Sequence, residues 1–187
     1  MKLLVCAMEA SSNIHLKELK KYLNNDVELV GVFDKELGNP LYDLTALAIM
    51  GIVDALKKLR FFFKLRDELV DLAKDSDKVL LMDSSGFNLP LAKKLRETYP
   101  NKEIIYYILP QAWAWKKGRV AKLEKYCSKL CSIIPFEGEM YSDKNKLTYV
   151  GHPLLDEIKE FKQELSNTNK IAFMPGSRKT EITNLMP

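Results

Sequence analysis

The chain has 187 residues, 47% of them apolar and 29% charged, with a formal net charge of +4. That length builds one domain of roughly 100–200 residues and part of a second, and the balance of apolar and charged residues excludes a disordered chain. The charge is too small to point to nucleic acid. It suits an anionic membrane surface or a phosphorylated substrate.

Cys6, Cys127 and Cys131 form no regular framework, which implies a reducing compartment. Cys127 and Cys131 have no histidine near them in sequence and read as small buried residues rather than metal ligands. His15 and His152 are far apart in sequence and suggest no paired metal site. The apolar start of the chain is too short for a signal peptide. No stretch reaches the roughly 18 apolar residues of a membrane span, so a cytoplasmic protein is expected.

Lys2–Met8 is a continuous apolar run, as in a strand buried on both faces. The small polar residues of Glu9-Ala10-Ser11-Ser12-Asn13 suit a helix cap, and Leu16, Leu19 and Leu23 supply one helical face. Val27–Phe33 is a second strand, so the first third of the chain opens with a right-handed βαβ unit. Asp34 to Leu44 is irregular, punctuated by Gly38 and Pro40.

A long helix is expected from about Met50 to Ala73. At roughly 100° per residue, Ile52, Leu56, Leu59, Phe63 and Val70 make a core stripe. Phe61, Phe62, Leu65, Leu69 and Leu72 make a second, largely opposite arc, with Lys57, Arg60 and Lys64 between the two. Two apolar arcs fit burial beneath another helix. They also fit docking on a bilayer or an acyl chain with the cations meeting lipid phosphates, and the run of three phenylalanines favours the second.

Lys78–Met82 is the next buried strand, with Asp83 at its carboxyl end. Such a carboxylate looks into the cleft where parallel α/β sheets bind ligands, or else it caps the next helix. Leu91–Thr98 reads as that helix. Ile104–Leu109 is a strand ending at Pro110, and it leads into Gln111, Trp113 and Trp115 and then a basic helix with Lys116, Lys117 and Arg119. Indoles leading into cations at a strand end suit a sugar or phosphate ligand, and equally suit loop anchors on a core. Strands at Leu130–Ile134 and Leu147–Val150 follow, with a short helix from Pro135 to Tyr141 between them. Asp156 to Asn169 reads as a charged, polar stretch, helical or linker. Lys170–Met174 then starts a new strand, turned by Pro175-Gly176-Ser177-Arg178 into a helix start. Backbone N–H groups in such a turn, with an arginine, make a phosphate-binding arrangement. The expected domains are therefore residues 1–156 and the beginning of a second, truncated one at 157–187.

Seven ordered motifs carry a resemblance to a known family. They are Met8-Glu9-Ala10-Ser11-Ser12, Met50-Gly51-Ile52-Val53, Asp83 through Phe87-Asn88, and Pro110-Gln111-Ala112-Trp113-Ala114-Trp115. The others are Pro135-Phe136-Glu137, Val150-Gly151-His152-Pro153-Leu154, and Pro175-Gly176-Ser177-Arg178 with Glu181. In this order, across the whole chain, the sequence resembles lipid A disaccharide synthase. It departs from that family's usual first loop, Gly-Glu-x-Ser-Gly-Asp, at Met8, Ser12 and Asn13. It also carries Gly86 where the family usually places a second acid.

The resemblance implies an α/β fold with a Rossmann-like parallel sheet, the N-terminal domain of a GT-B glycosyltransferase. The implied reaction joins UDP-2,3-diacylglucosamine to 2,3-diacylglucosamine 1-phosphate (lipid X) with inversion, giving a β-1,6 disaccharide 1-phosphate and UDP, with no metal or other cofactor. The implied setting is the cytoplasmic face of the inner membrane, with no nucleic acid partner and a homodimer left open. Asp83 is the expected base, with Glu9 the alternative. Ser11, Asn88, Gln111, Trp113, Trp115, Arg119 and His152 are expected to bind substrate, and Gly176, Ser177, Arg178 and Glu181 to hold the diphosphate. Phe61, Phe62, Leu65, Leu69 and Leu72 are expected to contact acyl chains. Another UDP-sugar enzyme of the same fold, or a non-catalytic membrane-associating module, are the other readings.

Overall fold

The computed structural model describes residues 1–43, 55–112, 118–156, 158, 171–176 and 179–186, with the side chains of 55–58 and 179–181 left aside. The chain divides into two compact units, Met1–Glu157 and Ile158–Pro187.

The first unit is built on a seven-stranded sheet. Its strands are β1 (Lys2–Ala7), β2 (Glu28–Phe33), β3 (Tyr42–Asp43), β4 (Lys78–Met82), β5 (Glu103–Tyr107), β6 (Lys129–Ser132) and β7 (Leu147–Tyr149). Their order is β3-β2-β1-β4-β5-β6-β7, and each described pairing is parallel. Among the described residues four α-helices accompany it: α1 (Ala10–Lys20), α2 (Ala55–Ala73), α3 (Ser85–Thr98) and α4 (Gly118–Tyr126). The chain winds outward from β1 to β3, then returns to lay β4 on the other side of β1. That reversal is a topological switch point, where a crevice opens beyond the strand ends.

Strand alternation sends side chains to two cores. Leu3, Val5, Ala7, Leu80 and Met82 face α1 through Leu16. Leu4, Cys6, Val79 and Leu81 face the opposite way, against Leu65 and Leu69 of α2, Leu91 and Leu95 of α3, and Leu123 of α4. Helices on both faces explain why β1 and β4 are apolar at nearly every position. Gly31 is obligatory where β2 passes β1: its φ is +118°, and a Cβ there would stand 2.2 Å from the Val5 carbonyl oxygen.

Three sequence expectations are corrected here. First, α3 begins at Ser85, not Leu91, with Pro90 inside it. Gly86 and Pro90 read as loop punctuation, yet the helix accepts both in its first two turns because buried Asn88, Leu89, Leu91 and Leu95 anchor it. Second, the two arcs of α2 exchange roles. Leu65 and Leu69 are fully buried, and Phe61, Phe62 and Leu72 pack against the same core, whereas Leu59 is 53% exposed and Phe63 49%. Leu65 and Leu69 therefore reach no acyl chain from outside. Val70 is buried as expected, and Ile52 lies outside the described residues, as does the side chain of Leu56. Helical periodicity finds apolar arcs but does not say which one meets the sheet.

Third, residues 171–176 of the second unit form no strand, and Ile171 and Met174 are 95% and 87% exposed. A strand exists by its ladder, and no neighbouring strand is described beside them. A short helix, α5 (Lys179–Leu185), follows.

Leu69→Ala is expected to cost about 2–5 kcal/mol in urea unfolding, because it opens a cavity in a closed core. Phe63→Ala should stay within about 0.5 kcal/mol of the parent. Equal costs for the two would restore the original assignment of the arcs.

Candidate active site

Glu9 and Asp83 are 74 positions apart, yet pairing in register from Leu3↔Lys78 to Ala7↔Met82 brings the ends of β1 and β4 side by side. Both acids come just after those ends, at the switch point. Glu9 is the N-cap of α1, and its backbone N–H donates to Ser12 Oγ at 3.1 Å. Asp83 does not cap α3; Ser84 occupies that position.

The Asp83 carboxyl lies close enough to Glu9 to feel its negative charge. Ser84 Oγ donates to Glu9 Oε1 at 2.8 Å, and the Ser11 side chain hydrogen-bonds Asp83. Asp83 is held above the usual aspartate range, first by burial and then by the negative charge of Glu9. The Ser84 backbone and Ser11 offset part of that rise. A carboxylate shifted in that direction is a better proton acceptor than an ordinary aspartate.

Backbone geometry at this edge is unusual. Asp83, Ser84 and Ile108 are the non-glycine residues with positive φ among those described, at 49°, 38° and 63°. They follow adjacent strands, β4 and β5. Left-handed backbone in consecutive residues with side chains is costly, and it persists only where surrounding contacts enforce it. It also explains why β5 ends at Tyr107 rather than at Leu109.

A groove of ≈ 550 Å³ opens beside Glu9 and Ser84. Its walls are Met8, Phe62, Phe63 and Phe87, closed by Leu59 and Pro90, with Arg66 at the side. The rings of Phe62 and Phe87 lie 5.8 Å apart, and the Arg66 guanidinium lies 5.2 Å over the Phe63 ring while pairing with Asp67 at 2.9 Å. An apolar groove lined by Glu9, with Asp83 beside that acid, has the chemistry to hold an acylated polar molecule with its polar part at the acids.

The other expected site residues divide. Asn88 is fully buried, and its Nδ2 donates to the carbonyls of Met82 at 2.9 Å and Asp83 at 3.0 Å. It shapes the turn and is not among the residues lining the groove. His152 meets His15, with ring centroids 5.9 Å apart, and its Nδ1 accepts from the Leu154 N–H at 3.3 Å. Two distant histidines thus come together, although among the described residues no third His, Cys, Asp or Glu completes a metal-binding group. Burial and then the charge of His152 lower the pKa of His15. Gln111 is exposed and Arg119 half-buried, both after β5. Trp113, Trp115, Ser177 and Arg178 lie outside the described residues, as does the side chain of Glu181. Gly176 has φ 101°, a turn that glycine accepts.

Sequence reasoning missed Ser84, Tyr106 and Asn13. Tyr106 donates its hydroxyl to the Asp83 carbonyl. Asn13 bridges β1 and β2, donating to the Ala7 and Glu9 carbonyls and accepting from the Asp34 N–H. Asn13 departs from the usual family loop, and that departure was the available signal. Nothing local singles out Tyr106 in an apolar strand.

A doubly wound parallel sheet with paired carboxyl groups at its switch point defines a Rossmann-like α/β protein with a site at the carboxyl edge. Residues 3–187 match the family model described as lipid-A-disaccharide synthetase, and the chain belongs to that family. It is 52% identical over 185 residues to the lipid-A-disaccharide synthase of Helicobacter pylori strain HPAG1, covering 99% of this chain and 50% of that protein. The enzyme of that name from Helicobacter acinonychis strain Sheeba is 50% identical over the same shares. That from Campylobacter jejuni strain RM1221 is 43% identical, over 98% of this chain and 56% of its own length. The chain thus spans about half the length of these relatives.

The raised pKa of Asp83 has a stability consequence. The protonated form is favoured on folding, so its contribution is fully present below the ordinary aspartate value of 3.8 and is lost as pH rises through the higher folded value. Asp83→Asn should therefore raise the urea midpoint at pH 7, and the gain should shrink as pH falls through the raised folded value and be gone below 3.8. A gain independent of pH would mean that folding does not raise the Asp83 pKa.

Proposed function

We propose that this chain supplies the acceptor-facing half of a lipid-A-disaccharide synthase that transfers 2,3-diacylglucosamine from its UDP derivative to the 6-hydroxyl of lipid X. The observation that carries the proposal is the carboxyl pair Glu9–Asp83 beside a phenylalanine-walled groove, on a chain of this family. An acylated sugar needs both features: apolar walls for a fatty tail and an acid-base group at the sugar end.

In this mechanism Asp83 accepts the proton of the acceptor hydroxyl while the oxygen attacks the anomeric carbon from the face opposite UDP, inverting that centre. Its raised pKa makes it a stronger base than an ordinary aspartate. Glu9, which accepts from Ser84 Oγ, is a neighbouring negative charge that favours the protonated Asp83 formed in the step. Ser11, Gln111, Trp113, Trp115 and Arg119 are proposed to bind the acceptor, with Arg119 pairing its 1-phosphate. Gly176, Ser177, Arg178 and Glu181 are proposed to receive the leaving diphosphate, through backbone N–H groups and a cation aimed at developing charge. The fold proposed for the whole protein is GT-B.

Peripheral attachment to the cytoplasmic face of the inner membrane belongs to the same proposal. Leu59 and Phe63 are half exposed on α2 at the groove, where apolar side chains can enter a bilayer surface. Among the described residues no helix is long and apolar enough to cross a membrane.

The test is disaccharide formation from UDP-2,3-diacylglucosamine and lipid X by the chain extended to the length of its relatives. Asp83→Asn should lower kcat by about 10²–10⁴ with KM little changed; near-normal turnover removes Asp83 from the mechanism. Leu59→Ala with Phe63→Ala should weaken sedimentation with anionic lipid vesicles, and undiminished binding would remove α2 from the membrane contact.

A further inference from the structure

Asp83 and Ser84 adopt left-handed backbone in succession, a conformation disfavoured for residues with a Cβ. What opposes that cost comes from two fully buried side chains on different elements. Asn88, in the first turn of α3, donates its amide to the carbonyls of Met82 and Asp83 at 2.9 and 3.0 Å. Tyr106, on β5 and paired with Leu81 of β4, donates its hydroxyl to the same Asp83 carbonyl at 2.5 Å. One backbone carbonyl thus takes two buried donors.

The hydroxyl is not needed for packing, since a phenylalanine would fill the same volume among Cys6, Leu81 and Ile104 of this core. A buried hydroxyl is unfavourable unless bonded. Its partner here is the residue whose carboxyl meets Glu9, and burial pushes the phenol well above its ordinary pKa, so it stays a donor. We propose that Tyr106 is a positioning residue for the carboxyl pair: its hydroxyl, with the Asn88 amide, holds Asp83 and Ser84 in the turn that sets the Asp83 carboxyl against Glu9 and Ser11. This rests on the reading of that pair as the acid-base site.

The experiment follows the side-chain carboxyl carbon of Asp83 by NMR against pH in this chain. Tyr106→Phe should release the turn and move the Asp83 midpoint down, toward ordinary aspartate, by roughly half a unit or more. Val79→Ala, a core truncation on β4 that removes neither hydrogen bond to the Asp83 carbonyl, should leave the midpoint in place. An unmoved midpoint in Tyr106→Phe, or an equal shift in Val79→Ala, overturns the proposal. Should Tyr106→Phe fail to fold, the hydroxyl proton of Tyr106 in the unsubstituted chain decides. Slow exchange with solvent supports the clamp, and exchange as fast as that of a free tyrosine overturns it.

In the extended chain Tyr106→Phe should lower kcat about tenfold with KM within about twofold, and an unchanged kcat overturns the positioning role. The two failures are separable. If Asp83→Asn keeps its turnover while Tyr106→Phe still moves the Asp83 midpoint, the clamp stands and the catalytic reading falls.

Discussion

The parallel pairing of β1 with β4 is the constraint on which the site depends. Leu3↔Lys78 through Ala7↔Met82 sets where each strand ends, and therefore which residues emerge into the crevice. A slip of one residue would exchange the faces of β4, sending Leu80 and Met82 toward α2 and Leu81 toward α1. Both faces are apolar, so hydrophobicity alone leaves that slip only weakly opposed. The register is secured by polar contacts at the two ends. At the start of β1 the Lys2 N–H donates to Asp77, and near its finish Asn88, just after β4, donates to the Cys6 carbonyl at 3.5 Å.

The two edges of the sheet treat charge in opposite ways. At the amino edge Glu103 lies between Lys78 and Lys129, each 2.9 Å away, and the Lys129 bond leads in holding its carboxyl below the usual range. At the carboxyl edge Asp83 meets another acid and burial, and moves the other way. Paired charge of the first kind favours the ionised state and leaves nothing to react. A carboxyl group beside a second acid ionises less readily than a free one, which makes its anion the better proton acceptor. Perturbation in that direction, in a crevice, is the mark of a site rather than of a fold.

Much of this was legible in the sequence, and the reasons are physical. Continuous apolar runs gave the buried strands around β1 and β4, because helices cover both faces there. Asp83 stood out because an acid directly after such a run must lie at a strand end. The assignment of α2 failed for a different reason. Two apolar arcs satisfy the same periodicity, and only the sheet decides that Leu65 and Leu69 turn inward while Leu59 and Phe63 remain half exposed. Asn88 entered the expected site only through the family resemblance. Its full burial comes from α3 starting six residues earlier than Leu91, which brings it under the turn.

Tyr106 shows the limit most clearly. In sequence it is one tyrosine of a pair in an apolar strand, and nothing distinguishes it from its neighbour. In the fold, Tyr107 is half buried on the α1 side, while Tyr106 is enclosed on the other side and reaches a strained carbonyl one strand away. A strained turn is costly to keep, and the protein keeps two such residues at β4 and another, Ile108, after β5. Natural sequences depart from local conformational preference where a site requires a geometry that the preference would not give. The departures at Asp83, Ser84 and Ile108 fall at the ends of adjacent strands, beside the acids. That coincidence ties backbone strain to chemistry here: the fold can afford an unfavourable turn because the cores beneath it, α1 on one face and α2 to α4 on the other, are closed and rigid.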